Sequence, residues 1–173
     1  MSTAITAVVP AVSSLTLTDN FDDTETVTIG GVVYTMRATL GVLAGSVQLA
    51  PTVDPEADAS DTLDALADAI NLDSTFSGAG AGTSYTAATV INPLVVASRP
   101  SALVLKITAK VPGVIGNQIT TTETHGEGAW TSTVMASGTG SVNVALSEIL
   151  AGCQVNAEVE QLLRRFDGNP ATE

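Results

Sequence analysis

Two adjacent glycines, Gly30 and Gly31, lie at the centre of Glu25–Arg37, ETVTIGGVVYTMR. Residues on both sides alternate between apolar and polar, the period of a strand with one buried face. A two-residue connection between such strands needs positive φ, which glycine adopts without steric penalty. The stretch therefore predicts a tight β-hairpin, and the turn dictates its register. Ile29 falls opposite Val32, and Val27 opposite Tyr34. Met36 shares their face, while Thr26, Thr28, Val33 and Thr35 occupy the other. A slip of one residue would turn the apolar set to water, so the pairing is strongly specified. Further on, ASDTLDALADAINL (59–72) carries Leu63, Leu66 and Ile70 at helical spacing. Asp61, Asp64 and Asp68 are expected on the opposite, solvated side. Ser60 reads as the N-cap, with Asp61 in the first turn and Asn71 at the end.

Around this β-β-α unit the remaining patterns are mostly those of strands. Ser14–Thr18 (SLTLT) points Leu15 and Leu17 inward, and Val47–Leu49 is a short strand. Residues 93–98 and 102–111 follow, the second with Leu103, Leu105, Ile107 and Ala109 on one face. Gln118–Thr122 places Ile119 inward, and another strand is expected near Trp130–Met135. Trp130, the single tryptophan, reads as a core or edge plug. From Ser141 the period becomes helical, with a short helix expected at Ser147–Cys153. A second follows, with Asn156 as N-cap, Glu158 and Glu160 in its first turn and Arg164 and Arg165 in its last. Gly168 and Pro170 stop it. The expected fold class is α+β: a mainly antiparallel sheet or sandwich with one central amphipathic helix and a C-terminal helix. The expected parts are an N-terminal arm over 1–13, a β-rich α+β domain over 14–140 and a C-terminal helical extension over 141–173.

Charge and residue usage narrow the function. Eighteen acidic and six basic residues give a net charge of −12, which repels nucleic acid and anionic membranes. Neither is an expected partner. Gly78, Gly80 and Gly82 imitate part of a phosphate-binding loop, but no lysine follows. His125 is the only histidine; it cannot build a multi-histidine metal centre, and HGEG (125–128) reads as an exposed polar turn. Asp54, Glu56, Asp58, Asp61 and Asp64 lack the spacing of a calcium loop and read as a solvated acidic face. Cys153 is a lone cysteine, expected to be a buried small hydrophobe. The first residues lack the basic start of a signal peptide. No catalytic residues, cofactor or metal are expected, and the chain is not expected to be an enzyme.

Several ordered pieces carry a resemblance: DTETVTIGGVVYT, LADAIN, GAGAGTSY, ITAKVPGVIGNQI, TTTET and GAW, with GTG at 138–140. Together they resemble a structural module recurrent in virion and tail-associated proteins of tailed bacteriophages, over roughly residues 15–140. TVTIGG with DALADAIN also resembles the β-β-α motif of flagellin and hook-associated proteins, without the long terminal heptad helices. The phage resemblance implies a virion structural protein, made in the host cytoplasm and found in the virion. A head decoration (cement) protein is the first expectation. A tail, neck or fibre-associated component, or a host-surface adhesin, is the alternative. Its implied partners are major capsid or tail proteins and further copies of itself. The residues expected to contact them are apolar and lie in the two extensions: Val8, Val9 and Val12, and Val159, Leu162, Leu163 and Phe166.

Overall fold

A computed structural model describes residues 7–50 and 55–140. The expected C-terminal helix, with Val159, Leu162, Leu163 and Phe166, lies outside the described residues, as does Cys153. The fold is α+β and mainly β. The elements are β1 (Val12–Leu17), β2 (Thr26–Ile29), β3 (Val32–Arg37), β4 (Ser46–Gln48), α1 (Pro55–Asn71), β5 (Val95–Ser101), β6 (Val104–Ala109), β7 (Thr121–Glu123) and β8 (Gly128–Trp130). They form two four-stranded sheets, ordered β5-β6-β1-β8 and β4-β3-β2-β7. The pairings are antiparallel except for β3 with β4, which is parallel.

The hairpin has the expected register, with Ile29 opposite Val32 and Val27 opposite Tyr34. Gly30 and Gly31 both have positive φ, as the two-residue turn requires. Val27, Ile29, Tyr34 and Met36 are fully buried. Leu15, Leu17, Leu105 and Ile107 come from the other sheet, and all enter one apolar core with Leu63, Leu66 and Ile70 of α1. The helix packs on β5 and β6 of one sheet and on β4 of the other, bridging the two. At roughly 1.5–3 kcal/mol for each large buried side chain, this shared core is the main driving force.

The helix starts at Pro55, five residues before the expected Ser60 cap. Proline is favoured in a first turn because its φ is preset and its missing N–H is not needed there. The helix ends as expected at Asn71. Leu72 follows with φ 58°, and the Asp73 N–H donates to Asp68 O at 3.1 Å. This is the six-to-one bond of a Schellman ending, made here without glycine. Asn71 then turns its side chain to the β5 edge. Its Nδ2 donates to Ala97 O at 3.0 Å, and Ala97 N donates to its Oδ1 at 2.8 Å. Asn117 forms the same kind of pair with Gly138, at 3.0 and 2.9 Å. Each side chain thereby stands in for a neighbouring strand.

Two assignments shift in the second half. The strand expected over Gln118–Thr122 overlaps a 3-10 turn at Val114–Gln118, and the strand itself spans only Thr121–Glu123. The strand expected near Trp130–Met135 ends at Trp130, and Val134 makes only an isolated bridge to Thr120. Near the N-terminus, Val12 and Ser13 belong to β1, and Ala11 is fully buried. The boundary placed at residue 13 therefore moves towards the N-terminus, because backbone pairing continues to Val9, which exchanges bonds with Thr139.

Candidate interaction surface

Several buried polar groups bond to neighbouring segments of the fold. Asp68, expected on a solvated face, is fully buried. Its carboxylate accepts from Phe76 N at 3.0 Å, from Ser77 N at 2.8 Å and from the Ser77 hydroxyl. Burial alone would push this carboxyl up, but those bonds outweigh it and hold it below the ordinary carboxylate value. Asp73 is pushed up, first by burial and then by its hydrogen bond with Asp68. The Ser77 hydroxyl also meets that of Ser84 at 2.8 Å. Asp68 thus ties the glycine-rich loop to the helix. The acidic face needs the same correction at Asp58, which is also buried; helical periodicity marks an acid as solvated and does not register neighbours from distant segments.

Asp64 and Arg99 form an ion pair at 2.9 Å between α1 and β5. The Arg99 guanidinium also donates to Ser60 and to the Ala102 carbonyl. Desolvation lowers the Arg99 pKa despite its partner, and it raises that of Asp64. A groove of about 340 Å³ beside this pair is lined by Gln48, Asp61, Asp64, Ser77 and Ser84. The Gln48 amide donates to carbonyls of residues 37, 38 and 49, while the Ser77 and Ser84 hydroxyls meet each other and Asp64 is held by Arg99. His125 is buried rather than exposed. Its Nδ1 lies 2.7 Å from Glu25 Oε2, and its ring lies 4.7 Å from that of Phe21. The turn is drawn inward because both partners sit at the foot of the hairpin. Among the described residues, no three His, Cys, Asp or Glu side chains converge as a metal site. No described helix is long and apolar enough to cross a membrane.

Besides single exposed side chains such as Val33, Leu72 and Val96, two groups of exposed apolar residues stand out. The first is formed by two loops that precede β4 and β5. Val42 is 88% exposed and Val90 67%, and their chain neighbours Leu43 and Ile91 are exposed as well. The loops are fastened by buried threonines. Thr86 Oγ1 donates to Leu43 O at 2.8 Å, and Gly45 N donates to Thr89 Oγ1 at 3.2 Å. Gly45 has φ 78°, and a Cβ there would lie 2.4 Å from the Val33 carbonyl oxygen. A rigid base therefore presents apolar tips to water. Leu40, Val42, Ala87 and Ala88 line a shallow depression of about 370 Å³ between the loops. Neither loop has a periodic pattern, so sequence reasoning missed this patch; its only signal was apolar residues between turn formers, in LGVLAG and ATVIN.

The second gathering includes Val8 and Val9, both exposed, with Val111, Val114 and Ile115. Gly113 N donates to Val9 O, and Val114 N to Gly140 O. Val12, expected in the same stripe, is half-buried within β1, opposite Thr108. The structure therefore brings Val8 and Val9 together with residues a hundred positions away, with Val12 half-buried in the strand that continues from them. No family model matches the sequence. A search of curated proteins likewise finds no match.

Proposed function

We propose that this chain is a non-catalytic structural protein of a bacteriophage virion, specifically a head decoration protein that binds neighbouring capsid subunits. The observation that carries the reading as a binding protein is the pair of hydrogen-bonded loops that hold Val42, Leu43, Val90 and Ile91 exposed. Large apolar tips held in water by buried hydrogen bonds are characteristic of a surface that meets another protein. The placement in a phage virion rests on the sequence resemblance. The net charge of −12 favours a protein partner over nucleic acid.

Labelling the protein on particles and counting copies tests the assignment. Hundreds of copies on the head are expected. A few copies at the tail would reject decoration in favour of the tail-component reading. The full-length double variant Val42→Asp, Val90→Asp should lose particle binding while melting within a few degrees of the parent, because both side chains are already solvated.

A further inference from the structure

The face around Val8, Val9, Val111, Val114 and Ile115 is woven from three stretches of chain. Val9 exchanges backbone bonds with Thr139, Val12 with Ala136, and Met135 donates to Ile119. The packing is close: a Cβ at Gly116 would lie 2.9 Å from that of Ala11, and one at Gly138 would lie 2.4 Å from Gly113 O. Residues 7–18, 111–122 and 131–140 contain no Asp, Glu, Lys or Arg. Such a charge-free region stands out in a chain with 18 acidic and 6 basic residues. Its apolar side chains are nonetheless open, Ile115 being 57% exposed. Gly140, the last described residue, lies in this face, with its carbonyl accepting from Val114 N and its Cα beside Val8.

We propose that this charge-free face is the seat of the chain's own C-terminal segment, which covers it with Val159, Leu162, Leu163 and Phe166. Those four residues share one side at helical spacing, while Glu158, Glu160, Arg164 and Arg165 intervene. A helix over Asn156–Asp167 would be about 18 Å long. Fifteen residues separate Gly140 from Asn156, a reach of at most about 50 Å, which spans any part of this face. A segment tethered at the edge of its own binding face experiences an effective concentration in about the millimolar range. At micromolar protein, that favours the same chain over a second copy by about a thousandfold. The inference is independent of the virion assignment.

Cysteine cross-linking in the full chain tests it. In a Cys153→Ser background, Ile115→Cys is paired with Leu162→Cys, and Val42→Cys with Leu162→Cys serves as control. Both surface positions are exposed, so neither change threatens folding. Under mild oxidation at micromolar protein, the Ile115 pair should close intramolecularly at least about tenfold faster than the control. In a separate measurement, Leu162→Asp with Leu163→Asp should move the amide resonances of Val8, Val114 and Ile115. Equal cross-linking rates, covalent dimers in place of the internal bond, or unmoved resonances would each overturn the proposal.

Discussion

Replacing Asp68 by asparagine tests the buried carboxylate directly. The side chain keeps its size but loses its charge and one acceptor oxygen. In the native protein that carboxylate accepts from two backbone N–H groups and from the Ser77 hydroxyl. Hydrogen bonds to a charged group contribute about 1.5–3 kcal/mol each. In Asp68→Asn the amide nitrogen would face a donor, leaving at least one buried N–H unsatisfied. A loss of about 3 kcal/mol is expected at neutral pH, or about 6–12 °C in Tm for a chain of this size. The pH dependence has a defined sign. Because the folded carboxyl lies below its ordinary 3.8, its contribution is complete above that value and fades as pH falls through the lower folded value. Asp73, pushed up by burial and in part by its hydrogen bond with Asp68, contributes with the opposite sign and would not cancel, so parent and variant are compared with Asp73→Asn in both. Urea denaturation followed by Trp130 fluorescence, at pH 7 and then below 3.8, supplies the comparison. The gap should narrow in acid. A loss under about 1 kcal/mol at pH 7, or a gap unchanged by acid, would refute the reasoning. Asp61→Asn, at an exposed position on the same helix, should change stability by less than about 0.5 kcal/mol.

Three further outcomes follow from backbone geometry and the buried ion pair. Leu72→Gly should stabilise the protein by about 0.5–1 kcal/mol, because Leu72 holds φ 58° where glycine is unstrained; an unchanged or lower urea midpoint would count against it. Gly45→Ala should cost more than about 2 kcal/mol, since its Cβ meets the Val33 carbonyl, whereas Gly31→Ala, with the same sign of φ but open space around it, should cost about 1 kcal/mol. Arg99→Met should cost about 3 kcal/mol by leaving Asp64 unpaired, and adding Asp64→Leu should restore much of that loss; simple additivity in a double-mutant cycle would contradict the buried-pair account.

The hairpin was legible in the sequence because two local signals agree there. Glycines at the turn and alternation on both sides allow a single register. The apolar face of α1 was legible for the same reason, its Leu63, Leu66 and Ile70 spacing being local. Its start was hidden because Ser60 looks like a cap, while Pro55 begins the helix without apolar periodicity. Asp68 and His125 were misread for a different cause. Their environments come from distant or non-periodic segments: Phe76 and Ser77 in a glycine-rich loop for one, and Phe21 with Glu25, a hundred residues away, for the other. The Val42 and Val90 patch arises where two loops meet, and no pattern within either loop announces the meeting. In each of these cases the missing information is tertiary.

The outer margins of the two sheets offer little unpaired backbone: β4 is bonded on its outer side by Ser84 and Thr86, and Thr121 by Thr133. Three of the four outer strands, β4, β7 and β8, are only three residues long. The fourth, β5, carries Pro100, which has no N–H to offer, and has its Ala97 backbone occupied by Asn71. Short and interrupted margins are poor templates for adding a foreign strand. Crowding many copies together therefore leaves little scope for growth into a fibre through backbone pairing. Among the described residues, any contact with a neighbouring molecule falls to side chains, whose fit can end at a defined neighbour and whose strength a single substitution can tune.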